Sequence, residues 1–262
     1  MGGLIFVGLG LAGLQDITLR ALDAIRSADL VLAEFYTSRL TNASLADLEA
    51  LVGKKVRVLS REDVETRGDD IVREAETKMV AFVVAGDPMT ATTHEDLLRR
   101  AQASRIPTRV IPGISIFTAA PAAAGLQIYK FGRTTTLAFP EGDYLAESPY
   151  DVVRENRARG LHTLVLLDIQ ADKDRFMRAP EAVELLQTIE ARRREHVVTP
   201  ETMLVGLARV GAPDARVVYA PAAEWPSIDL GAPLHTLIVP GTLHFMEEEA
   251  LARHRNGSAR SV

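Results

Sequence analysis

Short apolar runs rich in β-branched residues alternate with amphipathic stretches along the chain, and several of the runs stop at a glycine-bearing turn. That alternation constrains the fold more than any other feature. Parallel strands need crossover connections, usually helices, so the pattern specifies an α/β protein with a largely parallel sheet. In the first half Leu4–Val7, Leu30–Ala33, Lys55–Leu59, Met79–Ala85 and Thr108–Ile111 read as strands. Between them Ile17–Arg26, Leu45–Val52, Asp69–Thr77 and a segment opened by Thr93 read as helices. Asp16 is expected to cap the first helix, and Glu95 and Asp96 suit the first turn of the last one. Beyond Pro112-Gly113 the texture changes. Ser115 opens a small-residue helix, Ile116–Ala124, that Gly125 closes. Strands are expected at Thr134–Phe139, Leu164–Ile169, Thr202–Arg209, Arg216–Tyr219 and Leu234–Val239. Helices are expected from Ser148-Pro149 to Gly160, over Glu181–Arg194 and near Glu247–His254, with a polar tail after them. The domain boundary is placed at Pro112-Gly113, giving domains 1–112 and 113–262.

Composition narrows the function. The 262 residues are 47% apolar and 25% charged, ordinary for a globular chain with a sizeable core. A formal charge of -5 argues against a protein built to grip nucleic acid. The absence of cysteine excludes disulfides, thiol nucleophiles and Cys-ligated metal sites. No apolar run reaches the roughly 18 residues that span a bilayer, and the start lacks the basic region of a signal peptide. A cytoplasmic protein without membrane or nucleic-acid partners is expected.

Gly8-Leu9-Gly10-Leu11-Ala12-Gly13 follows the first strand as a literal G-x-G-x-x-G, and Glu34 ends the second strand. Together they are nearly the whole dinucleotide fingerprint. That fingerprint works by offering bare helix N–H groups to a pyrophosphate. Here a carboxylate, Asp16, stands where the helix should begin and would repel one. Gly86-Asp87-Pro88 and Pro112-Gly113-Ile114-Ser115-Ile116 also end strands, and open α/β sheets bind ligands beyond the carboxyl ends of their strands. The three turns describe a crevice of backbone and small side chains with one carboxylate and no lysine or arginine for a phosphate. A dinucleotide oxidoreductase and a silent binding module remain as alternatives.

Longer segments carry a resemblance. AEFYTS (33–38), VLSREDVE (58–65), GDP with ATTHEDL (86–88 and 91–97) and IYKFG (128–132) are similar to segments of the diphthine synthase family. So are YDVVRENRARGLHTLVLLDI (150–169), LARVG (207–211) and LHTLIVPGTLHFMEEEAL (234–251). That family lies within the tetrapyrrole (precorrin/uroporphyrinogen) methylase superfamily. Pro112-Gly113 departs from the usual family residues toward the wider superfamily.

The resemblance implies two α/β domains, a mostly parallel sheet in the N-terminal one and a mixed sheet in the C-terminal one, with the cofactor in the cleft between them. It implies a homodimeric, S-adenosylmethionine-dependent methyltransferase that leaves S-adenosylhomocysteine as product. The acceptor implied is the amino group of a 3-amino-3-carboxypropyl arm on one histidine of translation elongation factor 2. Three methyl groups give diphthine, a step of diphthamide biosynthesis. Carried over by position, cofactor contacts fall on Leu11, Asp87, Thr90, Ser115, Ile116, Leu167, Val210 and His235. The alternative within the same fold is a small-molecule tetrapyrrole methylase.

Methyl transfer from a sulfonium to an amine needs alignment more than acid or base groups. The six histidines, His94, His162, His196, His235, His244 and His254, show no metal-binding spacing, and no metal site is expected. His162 reads as a hydrogen-bonded imidazole at a strand edge. An alkylammonium must lose a proton before it attacks. No carboxylate–histidine pair is apparent near the matched segments, so desolvation rather than a dedicated base is expected to lower the amine's pKa. Tyr36 has two readings, packing beside a turn or an aromatic face for a methylated cation. Arg192-Arg193-Arg194 reads as solvated surface, or as a docking patch for the elongation factor.

Overall fold

In a computed structural model that describes residues 2–255, the apolar runs of the first half form one sheet. The elements are β1 (Gly3–Gly8), α1 (Leu19–Ser27), β2 (Leu30–Glu34), α2 (Leu45–Val52), β3 (Val56–Leu59) and α3 (Arg61–Glu65). They continue with α4 (Gly68–Thr77), β4 (Met79–Val84), α5 (His94–Ala103) and β5 (Thr108–Ile111). The strand order is β3-β2-β4-β1-β5, and all four pairings are parallel. Alternate residues of β1 and β4 enter two cores. Ile5, Val7, Ala81 and Val83 pack with Ala21, Ile25 and Leu48 of α1 and α2. Leu4, Phe6, Val80 and Phe82 pack with Val64, Ile71 and Leu97 of α3, α4 and α5. A sheet covered on both faces has to be apolar throughout, which is why MVAFVV of β4 shows no polar alternation.

Local chemistry corrects the expected helix starts. Asp16 does not cap α1. It lies in a 3-10 turn, Leu14–Asp16, and Thr18 is the cap, its hydroxyl accepting from Ala21 N. The helix α3 was not anticipated. Ser60 and Asp63 close a reciprocal capping box around it, and its five residues are too short to show a period. Thr93 precedes α5 without a side-chain cap, and its hydroxyl donates to Glu65 at 3.2 Å instead.

The second half contributes α6 (Ile116–Ala124), β6 (Thr135–Leu137), α7 (Ser148–Ala158), β7 (Thr163–Leu167), β8 (Ile169–Gln170) and β9 (Arg175–Phe176). After these come α8 (Ala179–Arg193), β10 (Met203–Ala208), β11 (Arg216–Pro221), β12 (His235–Val239) and α9 (Phe245–Ala252). Its sheet runs β11-β10-β12-β7-β6, parallel only between β6 and β7, and is therefore mixed as expected. Leu186 and Ile189 of α8, Tyr150 of α7 and Trp225 fill its main core. Trp225 packs against Gly206 of β10, where a Cβ would stand 2.2 Å from the indole. The β8–β9 hairpin forms its own two-stranded sheet.

The chain divides into two compact units. The first runs to Ile116 and takes in Ala171–Lys173, and the second comprises Phe117–Gln170 and the chain from Asp174 on. The polar tail expected at 256–262 lies outside the described residues. Among the described residues no helix is long and apolar enough to cross a membrane.

Candidate active site

In the first unit, the three adjacent strands β4, β1 and β5 end side by side, and their following turns interlock. Gly8 at the end of β1 sits so close to Gly113 that a Cβ on it would lie 2.4 Å from Gly113 N. A Cβ on Gly113 would lie 2.1 Å from Gly86 O. Side chains at these points would drive the turns apart. Gly86 is different. Its φ is +79°, and nothing lies within 4 Å of where a Cβ would stand. The Cα face of Gly86 at the end of β4 is therefore open to a ligand, while its N–H and C=O are bonded to Gly10.

Asp87 organises this strand end. One carboxylate oxygen accepts from Met89 N at 3.0 Å and Thr90 Oγ1 at 2.9 Å, and the other from Gly113 N at 3.2 Å. It ties the turn after β4 to the turn after β5. Leu11, Asp87, Thr90, Ser115 and Ile116 thus all follow the ends of three adjacent strands in this unit. Thr90, Asp87, Leu11, Ser115 and Ile116 are all partly exposed.

The glycine run after β1 does not form an anion nest. Asp16 Oδ2 accepts from Leu11 N at 3.1 Å and from Ala12 N at 2.7 Å. Those are the N–H groups a diphosphate would need, and a carboxylate of the same chain holds them. The expected conflict between Asp16 and a dinucleotide is present, by direct bonding to the turn rather than by capping α1.

A carboxylate–histidine pair does stand near the matched segments, contrary to expectation. Glu34 of β2 and His94 of α5 are both fully buried, with Glu34 Oε1 3.4 Å from His94 Nε2. The periodicity held the signal: His94, Leu97 and Ala101 are spaced i, i+3, i+7 and form the buried face of α5. Tyr36 lies beside this pair. The Arg61 guanidinium sits 4.8 Å from its ring centroid, so a cation of the same chain already covers one ring face. Burial and the nearby Glu34 and Glu65 carboxylates push its hydroxyl pKa well above the usual tyrosine value.

In the second unit, Leu167, Val210 and His235 lie at one edge of three adjacent strands. Thr236 pairs with Leu166, and Ala208 pairs with His235, so the end of β7, the start of β12 and the residues after β10 are neighbours. His235 is buried and doubly bonded. Its Nδ1 accepts from Ala179 N at 3.2 Å, and its Nε2–H donates to Ala232 O at 3.1 Å. Burial, helped by the Arg209 and Arg178 charges, lowers its pKa to about 4. The imidazole is neutral, with both nitrogens committed to the protein. Arg209 braces the same loop, bonding Leu230 O at 3.0 Å, Ala232 O, and Asp214 through its Nε at 2.6 Å.

His162 is the internally bonded imidazole anticipated for it. Gly241 N donates to its Nδ1 at 2.9 Å, so its Nε2–H faces Glu247 Oε1 at 3.1 Å. Glu247 also accepts from Gln127 N, His244 N and Lys130 Nζ. Burial alone would raise its carboxyl, but these donors outweigh it and bring the pKa down to about 2. Arg193 is not a free cation of the 192–194 cluster. It bonds Asp151 and Glu195, both at 2.8 Å, and lies over the Tyr150 ring. Among the described residues no cluster of His, Asp or Glu could hold a metal ion.

The family model for tetrapyrrole (corrin/porphyrin) methylases matches residues 3–226. The diphthine synthase of Methanocaldococcus jannaschii is 45% identical over 250 residues, covering 95% of this chain and 97% of that one. That of Methanocella arvoryzae is 47% identical over 249 residues, covering 95% and 96%. A crystal structure of diphthine synthase matches with a TM-score of 0.88 at 36% identity, covering 97% of this chain and 96% of that chain. Near-complete coverage in both directions, together with the parallel and mixed sheets just described, makes the chain a methyltransferase belonging to the tetrapyrrole methylase family, on its diphthine synthase branch.

Proposed function

We propose that the chain transfers methyl groups from S-adenosylmethionine to the amino group of a 3-amino-3-carboxypropyl-modified histidine of elongation factor 2, adding three to give diphthine. The observation that carries this reading is the 45–47% identity to diphthine synthases over 95% of the chain. The cytoplasmic homodimer implied by the family resemblance completes it. A tetrapyrrole acceptor has weaker support, because the family model alone speaks for it.

The strand-end turns of the first unit fit such a donor. S-adenosylmethionine carries no phosphate, and the Leu11 and Ala12 N–H groups are already held by Asp16. Gly86 offers open backbone beside Asp87, where a nucleoside or amino-acid group can approach closely. We assign donor contacts to Leu11, Asp87, Thr90, Ser115 and Ile116 in this unit, and to Leu167, Val210 and His235 in the second. Because both nitrogens of His235 are bonded internally, its contribution is to fix the Ala232–His235 backbone and offer a ring face.

When bound, the donor supplies an electrophilic methyl on a sulfonium. The chain's part is to align it with the amine, worth several kcal/mol of the barrier, roughly 7 or more for well-oriented reactants. The amine must be neutral to attack. We assign its deprotonation to desolvation in the closed site, since the Glu34–His94 pair is sealed from solvent and out of reach of an acceptor.

The direct test incubates the pure chain with S-adenosylmethionine and aminocarboxypropylated elongation factor 2, then counts methyl groups by mass spectrometry. Three added methyls, with binding of S-adenosylhomocysteine but not of NAD, is the expected result. Binding of NAD with no methylation of the factor would overturn it.

A further inference from the structure

Glu34 and His94 take no part in the chemistry above, yet they link the turn after β2 to the turn after β4, which is assigned to the donor. His94 Nδ1 lies 2.8 Å from Pro88 O. A carbonyl can only accept, so Nδ1 bears the proton and donates. Nε2 then lies 3.4 Å from Glu34 Oε1 in a site shut from solvent, close to the carboxylate but without a hydrogen bond to it or to any other group. Glu34 is itself oriented. Its Oε2 accepts from Tyr36 N and Thr37 N, each at 3.1 Å, and its Oε1 from the Thr37 hydroxyl. The edge of the Phe82 ring fixes the imidazole plane, with centroids 5.0 Å apart.

Pro88 O receives a second bond, from Thr92 Oγ1 at 2.8 Å. Pro88 directly follows Asp87, whose carboxylate carries Thr90 and Gly113. A chain of contacts thus runs from the turn after β2, through Glu34 and His94, to the Gly86–Thr90 segment. A buried polar pair is poor at adding stability, since an apolar pair of the same volume avoids its desolvation cost. What it supplies here is direction, by aiming one N–H at one carbonyl.

We propose that Glu34 and His94 are positioning residues for the methyl-donor loop: Glu34 orients the imidazole, and His94 holds the Pro88 carbonyl so that Gly86–Thr90 keeps the open conformation that receives the donor. The proposal rests on the reading that this loop binds the donor.

Two amide replacements separate the two ends of the imidazole. His94→Asn places an amide nitrogen near Nδ1 and keeps a donor for Pro88 O, while His94→Gln reaches toward Glu34 and abandons Pro88. Calorimetry with S-adenosylhomocysteine on the full chain is expected to show a loss of about tenfold or more for H94Q. Rescue to within about threefold of wild type is expected for H94N. Melting temperatures should fall in both, so a purely structural role would weaken them alike. Thr92→Val removes the other donor to the same carbonyl from a partly exposed position, and covers the case in which the histidine variants do not fold. It should raise KM for the methyl donor severalfold with little change in kcat. Equal affinity in H94N and H94Q, or an unchanged T92V, overturns the positioning role while leaving the wild-type reading intact. A wild-type chain that does not bind S-adenosylhomocysteine overturns the underlying reading, and this proposal with it.

Discussion

Gly10 and Gly86 bond to each other twice through their backbones, Gly86 N to Gly10 O at 2.7 Å and Gly10 N to Gly86 O at 3.3 Å. Both have positive φ, +82° and +79°, so alanine at either is strained by about 1 kcal/mol. Their surroundings differ. A Cβ on Gly10 would stand 2.3 Å from Asp16 Cβ, whereas one on Gly86 meets nothing within 4 Å. Gly10→Ala should therefore lose appreciably more stability, about 2–4 kcal/mol, by displacing Asp16 from the turn. Gly86→Ala should lose only about 1 kcal/mol while placing a methyl on the open face proposed to receive the donor. Thermal melts and S-adenosylhomocysteine titrations of the two variants check this, and normal affinity in Gly86→Ala would remove that residue from the site.

The elements legible in the sequence are those whose side chains answer to one environment. β4 is apolar at every position because both faces of the first sheet are covered, and α2 spans Leu45–Val52 as its apolar pattern indicates. What stayed hidden depends on contacts between residues far apart in the chain, or on elements too short to show a period. Asp16 has the right residue type for a cap, but whether it bonds forward to a helix or back to Leu11 and Ala12 is decided by the path of Leu14–Asp16. Glu34 and His94 meet only because β2 and β4 are neighbours and Pro88 turns α5 back across their ends. The two-residue strands β8 and β9 carry no pattern at all.

Acid sensitivity of the second unit should begin well above the carboxylate range. Burial first, then the Arg209 and Arg178 charges, lower the His235 pKa from 6.5 to about 4. A depressed folded-state pKa contributes stability that is complete above 6.5 and is lost as pH falls toward 4, because the unfolded chain takes up the proton first. The shift corresponds to about 3 kcal/mol. His162 and His254 are shifted in the same direction, so they share this limb. Trp225, the single tryptophan, is buried in this unit and reports its unfolding. Urea titrations followed by its fluorescence should show stability falling between pH 6.5 and 4, and a shallower fall in His235→Gln. An identical slope in that variant would contradict the assignment.

Glu247 should be the most costly carboxylate in the second unit to truncate. It is fully buried and accepts from Gln127 N at 3.0 Å, His244 N at 2.8 Å, His162 Nε2 at 3.1 Å and Lys130 Nζ. Glu247→Ala leaves two backbone donors, an imidazole N–H and a partly buried ammonium without their acceptor, and should cost about 3–5 kcal/mol. A double-mutant cycle with Lys130→Met should show coupling above about 1 kcal/mol. Its low pKa, about 2, also means that this contribution persists down to pH 4.5 and disappears only below it.

Tyr36 should not determine how many methyl groups are added. An aromatic cage attracts a methylated ammonium through exposed ring faces, and it weakens when a fixed cation already occupies one. Here Arg61 lies 4.8 Å from the Tyr36 ring centroid, and Tyr36 itself packs against the core that contains Phe82 and Leu97. Its neighbours Glu34 and Thr37 are engaged in the turn after β2. Replacing it should therefore act on that turn and not on the acceptor. Tyr36→Leu is expected to cost roughly 1–3 kcal/mol of stability, through lost packing and the lost contact with Arg61. Mass spectrometry of elongation factor 2 exposed to limiting Tyr36→Leu enzyme should still show the trimethylated species as the end point. Accumulation of the mono- or dimethylated product, at a donor concentration that saturates the variant, would instead place the ring against the acceptor.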